Sequence, residues 1–327
     1  MDPFQETAAF RRTDRRAPGR PNGDSDDRQD GRTGLLKVDG TTLHHEVRGE
    51  GPLLVMMPGG SADAGIYDAI ATDLADRWTV ATFDPRGYSR SPLDGPVTDQ
   101  SPATHADDVA RLIGLLSPDG APAALFGSSS SAVVALDAPA RHPGRLSRVV
   151  AHEPPVVALL PDPDAGRALF SAVRKAFRQD GVAAATATMA ARLAPEETTA
   201  SGPEQVAAAD QAPTQEQAST SEQAPTQEQA PTPEQTATFR RMHANLPVFL
   251  EHVLCPFSGH APDLMAAAAQ LAVGVGRDSR ALLPAVAAEG LARRVDAGVA
   301  EFPGGHIGLA EDPRVFGARL RDVLLAT

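Results

Sequence analysis

The stretch from 121 to 143 most constrains what this chain can fold into, because it holds a strand, a sharp turn and a helix in immediate succession. An apolar run ends at Gly127, four serines follow, and small residues typical of a helix occupy 132–140. Such a turn pushes one side chain out at the sheet edge, and the following helix N-terminus supplies N–H groups for a developing oxyanion. The pattern predicts Ser129 to be a nucleophile.

The serine run departs from the pattern of a nucleophile elbow at one position. Gly127-Ser128-Ser129-Ser130-Ser131 resembles Gly-x-Ser-x-Gly, with Ser131 where the second glycine usually lets helix and strand pack closely. Serine is small enough to be tolerated there. Taken alone, the run is equally compatible with a serine-rich turn that has no chemistry, so its partners elsewhere in the chain decide between the two interpretations.

Apolar runs that predict strands alternate with amphipathic segments that predict helices. A hairpin over 35–47 precedes buried strands at 53–57, 79–83, 123–126 and 148–152, and further strands follow at 270–276 and 298–302. One of the intervening helices, 104–116, is expected to start with Thr104 as N-cap and Asp107 completing a capping box. Strands separated by helices predict an α/β fold with an eight-stranded, mostly parallel sheet flanked by helices.

The alternation stops between 154 and 267, which predicts a helical insertion into a core formed by 34–153 and 268–327. Three amphipathic segments occur there, and Pro247 is expected to break the third in two. An imperfect hexapeptide repeat, such as APTQEQ, lies between the second and third segments. Repeats without a hydrophobic face cannot stack into a solenoid, so a flexible acidic loop is expected at about 201–236.

The net charge of −12 is concentrated in one segment, because eight acidic residues and no Lys or Arg lie from Glu196 to Glu234. This distribution argues against a basic surface for nucleic acids. Residues 1–33 are rich in Arg, Asp, Gly and Pro and are expected to form a disordered tail. An Arg-rich targeting peptide is the alternative, but such peptides are poor in acidic residues and this stretch is not.

Cysteine content and hydropathy indicate the cellular compartment. Cys255 is the only cysteine, so the chain can form neither an intrachain disulfide nor a cysteine-rich metal site, which fits a reducing cytoplasm. No apolar run reaches the length of a membrane span, and the N-terminus lacks the apolar core of a signal peptide. We therefore expect a soluble, cytoplasmic protein without a membrane partner.

Residues downstream of the serine run can complete a catalytic triad, in which a base activates the serine and an acid orients the base. His306 lies in a Gly-rich loop after the last predicted strand, and Asp278 follows the preceding strand, 28 residues earlier. The order Ser, Asp, His, each after a strand, predicts His306 as base and Asp278 as acid. Glu153 also follows a strand after the nucleophile and remains the alternative acid.

Together these motifs resemble the α/β-hydrolase superfamily over most of the chain beyond the N-terminal tail. The sequence PGG at 58–60 is similar to the family's His-Gly-x oxyanion loop, and DPRGYSRS at 84–91 is similar to Asp-x-Arg-Gly-x-Gly-x-Ser, with Ser89 replacing a glycine. The resemblance implies that the backbone N–H groups of Gly60 and Ser130 bind the oxyanion, and that the insertion is a lid.

A serine in this position points to acyl chemistry on an ester, lactone or thioester of a small molecule, although perhydrolysis and C–C bond hydrolysis use the same triad. No metal or cofactor is expected, because His-Glu at 45–46 and at 152–153 has no histidine three residues on, and no nucleotide-binding glycine motif opens a helix. We therefore expect a serine hydrolase. The alternative is a protein of this fold that binds, isomerises or cyclises a small molecule without acyl transfer.

Overall fold

The computed structural model describes residues 31–193 and 232–326. The strands are β1 (Arg32–Val38), β2 (Thr41–Arg48), β3 (Leu53–Met57), β4 (Thr79–Phe83), β5 (Ala123–Ser128), β6 (Leu146–His152), β7 (Leu271–Gly276) and β8 (Val299–Phe302). The α-helices are α1 (Asp68–Leu74), α2 (Pro102–Leu116), α3 (Ser130–Arg141), α4 (Pro163–Leu193), α5 (Pro233–Val248), α6 (Leu254–Ser258), α7 (Leu264–Ala267), α8 (Leu283–Val295), α9 (Gly308–Glu311) and α10 (Pro313–Leu325). Most of the expected tail, up to residue 30, and of the expected acidic loop, up to residue 231, lies outside the described residues. The ends of both segments are corrected by the structure, because Arg32 and Thr33 belong to β1 and residues 233–236 belong to α5.

The eight strands form one mixed sheet in the order β1-β2-β4-β3-β5-β6-β7-β8. β1 and β2 form an antiparallel hairpin and β2 runs antiparallel to β4, whereas all the other neighbouring strands are parallel. The predicted eight-stranded, mostly parallel sheet is therefore confirmed. Because parallel strands end at the same edge, the loops after β3, β5, β6, β7 and β8 meet there, which is where open α/β sheets bind ligands.

Helices cover both faces of the sheet, which explains why its central strands are apolar throughout. Every residue of β3, β5 and β7 is buried. One apolar cluster joins Val55 and Leu125 to the helices α2, α3 and α8, and the other joins Leu54 and Phe126 to α1 and α10. A strand buried on both faces reads as a continuous apolar run instead of an alternating one.

Helix α2 begins two residues earlier than the sequence analysis predicts. Its N-cap is Ser101 and its first residue is Pro102, whose fixed φ and missing N–H suit the first turn of a helix. The predicted capping box at Thr104 is therefore wrong, because Thr104 lies inside the helix. The Asp107 side chain instead accepts a hydrogen bond from Arg141 at the end of α3, so it joins two neighbouring helices.

The insertion between β6 and β7 is helical, as expected. Its first two amphipathic segments both lie in α4, whose helical backbone is broken between them by a kink at Gly181, where φ is +83°. Pro247 does not interrupt the third segment as expected. It lies inside α5, and the chain continues through a π-helix, Phe249–Val253, into α6. In the described ranges, no helix combines the length and the apolar composition that crossing a bilayer requires.

Candidate active site

Ser129 occupies a sharp turn between β5 and α3. Its φ is +57°, a left-handed value that non-glycine residues rarely adopt. The Ser129 N–H donates to the backbone carbonyl of His152, 2.9 Å away at the end of β6, so the neighbouring strand holds the turn. A Cβ on Gly127 would lie 2.5 Å from the carbonyl oxygen of Ser131. The strand and helix therefore approach each other as closely as a nucleophile elbow requires.

Ser131 replaces the second glycine of the elbow pattern and uses its hydroxyl to join three elements. The side chain is buried and accepts a hydrogen bond of 2.9 Å from the N–H of Ser128. Its own proton can be donated to the carbonyl oxygen of Met57 at 2.7 Å, or to that of Ser128 at 2.9 Å. The departure from the pattern is therefore accommodated, because the hydroxyl links the start of α3 to the ends of β3 and β5.

His306 lies beside Ser129, in the loop between β8 and α9. Its Nε2 is 3.1 Å from Ser129 Oγ, and its Nδ1 is 2.5 Å from Oε2 of Glu153. These contacts join three side chains from the ends of β5, β6 and β8 into a chain of hydrogen bonds. The structure therefore places Ser129 and His306 together as the sequence analysis expects, and brings Glu153 to the other nitrogen of the imidazole.

Glu153 is held rigidly as a carboxylate. It follows β6 directly, its side chain is fully buried, and its backbone adopts a φ of +49°. Oε1 accepts a 2.7 Å hydrogen bond from the N–H of Gly276 and another from the hydroxyl of Ser279. Burial is the largest influence and acts to raise the pKa of Glu153, but the hydrogen bonds with His306 and Ser279 and the charge interactions with the two nearby histidines together outweigh it and hold the pKa below its usual value.

Asp278, the acid that the sequence spacing favours, makes no hydrogen bond to His306 among the described contacts. Its side chain is 56% exposed and pairs with the adjacent Arg277 at 3.1 Å. Ser279 is the residue of this loop that turns inward, and it donates to Glu153. The expected contact is therefore corrected in favour of Glu153. Strand order in the folded sheet explains the choice, because Glu153 directly follows the strand beside β5, whereas Asp278 follows a strand one position farther away.

The two residues implied in oxyanion binding lie next to each other. The Gly60 N–H donates to the hydroxyl of Ser130 at 2.9 Å, and the hydroxyl of Tyr88 donates to the carbonyl of Gly60 at 3.0 Å. Ser130 is the first residue of α3, where backbone N–H groups have no partner within the helix. Both backbone donors are therefore close to Ser129, and the Ser130 hydroxyl occupies the N–H of Gly60 in this structure.

His152 is a neighbour of the site that the sequence analysis does not identify. It is fully buried, and its ring is stacked on that of His306 with centroids 6.5 Å apart and planes inclined by 24°. Its Nδ1 is 3.0 Å from the hydroxyl of Ser128. Burial lowers the pKa of His152 to about 4. The His152 ring is therefore uncharged at neutral pH. It packs against the ring of His306 without placing a positive charge beside it.

Comparison with known proteins agrees with this arrangement of strands. Residues 52–245 match the family model of the alpha/beta hydrolase fold. The chain belongs to this family. An uncharacterized hydrolase of Bacillus subtilis (strain 168), YraK, is 28% identical to this α/β-hydrolase over 300 residues, which are 89% of this chain and 95% of YraK.

Two solved structures illustrate the shared fold. A thermophilic esterase from Thermogutta terrifontis superposes with a TM-score of 0.62 at 20% identity, over 89% of this chain and 96% of the esterase. The enol-lactonase from Burkholderia xenovorans LB400 gives a TM-score of 0.57 at 18% identity, over 89% of this chain and all of the lactonase (100%). At these identities the likeness concerns the fold of this α/β-hydrolase alone.

Proposed function

We propose that this α/β-hydrolase cleaves an ester, lactone or thioester of a small molecule through an acyl-enzyme formed on Ser129. The observation that carries the proposal is the chain of hydrogen bonds from Ser129 Oγ through His306 to the buried carboxylate of Glu153. The hydrolase YraK, which aligns with 89% of this chain, supports hydrolysis as the general reaction.

In the first step, Ser129 Oγ attacks the carbonyl carbon while its proton passes to Nε2 of His306. Glu153 accepts the Nδ1 hydrogen bond, which keeps the proton of the free imidazole on Nδ1 and stabilises the imidazolium once it forms. Collapse of the tetrahedral intermediate breaks the bond to the leaving group, which takes the proton from Nε2. In the second step, water gives a proton to Nε2 and attacks the acyl-enzyme, which releases the acid and regenerates Ser129.

The negative charge on the tetrahedral oxygen is assigned to the backbone N–H groups of Gly60 and Ser130. Both groups are part of rigid backbone beside Ser129, so their dipoles are oriented before the charge develops. The Ser130 hydroxyl now accepts the Gly60 N–H at 2.9 Å. Rotation of this side chain about its Cα–Cβ bond frees that N–H for the substrate oxygen without moving the backbone.

Covalent labelling of the serine tests the proposal directly. A fluorophosphonate probe should label the parent protein, and Ser129→Ala should abolish the label and lower kcat by about 10⁴- to 10⁶-fold with the fold intact. Ser128→Ala is the matched control from the same serine run and should still be labelled. A folded parent protein that stays unlabelled would contradict the acyl-enzyme and favour a protein that binds or isomerises its ligand.

A panel of esters, lactones and thioesters of graded size tests the substrate class. Hydrolysis that depends on Ser129 for at least one of these classes is expected. Turnover that survives Ser129→Ala would show that a different group carries the reaction, even if the probe labels Ser129.

A further inference from the structure

We propose that Asn245, on the insertion helix α5, is a positioning residue for the oxyanion loop, which we define as residues 58–63. This inference rests on the proposed function, in which the N–H of Gly60 binds the oxyanion. It assigns the insertion a part in the chemistry of the site, beyond covering it as a lid.

The Asn245 amide is buried and fully bonded. It is 4% exposed. Its Nδ2 donates to the backbone carbonyl of Ser61 at 3.0 Å and to the hydroxyl of Ser89 at 2.9 Å, and its Oδ1 accepts from the N–H of Ser89 at 2.9 Å. A backbone N–H can only donate, so Oδ1 must face Ser89 and the amide cannot be flipped. Nδ2 is therefore directed at the oxyanion loop.

Hydrogen bonds from other parts of the molecule are needed to fix the orientation of the Gly60 peptide. Gly60 has a φ of +60°, and a Cβ placed there would meet nothing within 4 Å, so the surrounding atoms do not confine it sterically. Glycine is also the residue with the most backbone freedom to lose. Besides the contact of its own N–H with Ser130 and the turn bond from the Ala62 N–H to the carbonyl of Gly59, two side-chain donors hold the peptides around it. Tyr88 donates to the carbonyl of Gly60, and Asn245 donates to the carbonyl of Ser61. The direction of the Gly60 N–H therefore depends in part on the insertion.

A second contact from α5 holds the end of the same loop. Arg241, one turn before Asn245, forms an ion pair with the fully buried carboxylate of Asp63. Asp63 Oδ1 also accepts from the N–H of Gly65 at 3.0 Å. The loop is thus tied to α5 at the carbonyl of Ser61 and at the side chain of Asp63.

Ser89 connects the two contacts, which accounts for its presence where the family pattern has a glycine. Its φ is +45°, a backbone conformation that glycine adopts more readily. Its hydroxyl donates to Asp63 Oδ2 at 2.9 Å and accepts from Asn245 Nδ2. Glycine has no side-chain hydroxyl and could not make this link, so the unfavourable backbone conformation of Ser89 is offset by two hydrogen bonds.

The predicted effect is on the transition state. Oxyanion donors act on a charge that exists only after attack, so a misdirected donor lowers kcat with little change in substrate binding. Asn245→Asp keeps the acceptor for the Ser89 N–H but places an oxygen against the carbonyl of Ser61. The peptide of Gly60 should then turn or loosen while the rest of the insertion keeps its packing.

The experiment compares the parent, Asn245→Asp and Asn245→Ala with His243→Ala, an exposed residue on the same helix. The measurements are kcat and KM for p-nitrophenyl acetate, and hydrogen exchange of the peptide that covers 58–64. Both Asn245 variants should lose about 10- to 100-fold in kcat, keep KM within about threefold, and exchange faster at 58–64. The His243 control should match the parent in all three measurements.

The inference is overturned if Asn245→Asp has the parent's kcat, if only KM rises, or if exchange at 58–64 is unchanged. Asn245→Ala introduces no charge and decides the matter should Asn245→Asp fail to fold. A parent protein without esterase activity and without probe labelling would defeat the proposed function separately. In that case, exchange at 58–64 still decides whether Asn245 holds the loop.

Discussion

The loops that follow β6 and β7 each carry a carboxylate, and the two carboxylates have opposite surroundings. Glu153, after β6, is fully buried, has a left-handed backbone and contacts His306 at 2.5 Å. Asp278, after β7, is 56% exposed and pairs with its neighbour Arg277. The comparison shows that the burial of a carboxylate and the direction of its side chain decide whether it can orient an imidazole. The number of residues between the carboxylate and the histidine does not decide it.

Strand order explains the difference. β6 lies directly beside β5, and its last residue accepts the N–H of Ser129, so the next residue starts next to the nucleophile. β7 is one strand farther from the elbow. The last residue of β7 and the loop after it supply hydrogen-bond donors, because the N–H of Gly276 and the hydroxyl of Ser279 both donate to the carboxylate of Glu153. The loop after β6 therefore supplies the carboxylate, and the end of β7 with its loop supplies the hydrogen bonds that hold the carboxylate in place.

The largest expected effect comes from removing the charge of each carboxylate in two separate single variants that are compared directly. Glu153→Gln should lower kcat by about 10⁴-fold, because the histidine loses the charge that stabilises its protonated form. Asp278→Asn should stay within about twofold of the parent, since it removes one partner of an exposed ion pair. The rates are measured on an ester that the parent hydrolyses, with circular dichroism as the folding control. Collapse of activity in Asp278→Asn with a near-normal Glu153→Gln would reverse the comparison.

Ser279→Ala tests the supporting role of the β7 loop. It removes a donor to a buried carboxylate, an interaction worth about 1.5–3 kcal/mol, so kcat/KM should fall by about 10- to 100-fold. This hydrogen bond is one of the interactions that hold the pKa of Glu153 below its usual value, so its loss should also raise that pKa. An unaltered rate would mean that Gly276 alone holds the carboxylate.

The end of β6 buries a second titrating group, which predicts acid sensitivity. Burial lowers the pKa of His152 to about 4, while the unfolded chain binds a proton near pH 6.5. Below pH 6.5 the unfolded state therefore binds more protons, and stability falls until the pH reaches about 4. His152 should contribute roughly 2 kcal/mol of this loss at pH 5.

Urea unfolding at pH 7 and pH 5 measures the acid sensitivity. His105, whose pKa is lowered to about 3 by burial, acts with the same sign. His152→Gln should therefore reduce the pH dependence without removing it. A variant with the full pH dependence of the parent would show that His152 is protonated in the folded state at pH 5.

Arg277→Ala is expected to have the smallest effect. Both members of its ion pair are more than half exposed, and such pairs contribute about 0–1 kcal/mol. The melting temperature and kcat should therefore match the parent within error. A clear loss of activity would show that the outer side of the β7 loop matters to the site, which would weaken the contrast with the β6 loop.

The sequence by itself determined the sheet and two members of the candidate site. Strands buried on both faces have to be apolar throughout, so β3, β5 and β7 were visible as continuous runs. Ser129 and His306 could be identified because each lies in a loop of small residues directly after a strand, a local pattern that folding preserves.

Only the tertiary structure decided the acid and the role of the insertion. Glu153 and Asp278 satisfy the same local pattern, and the choice depends on which strand adjoins β5 and on which way each side chain turns. Asn245 meets Ser61 across 184 positions of chain. An amphipathic pattern predicts that α5 is a helix, but it does not tell which polar side chain will be buried, because the partner that satisfies that side chain is supplied by a distant loop.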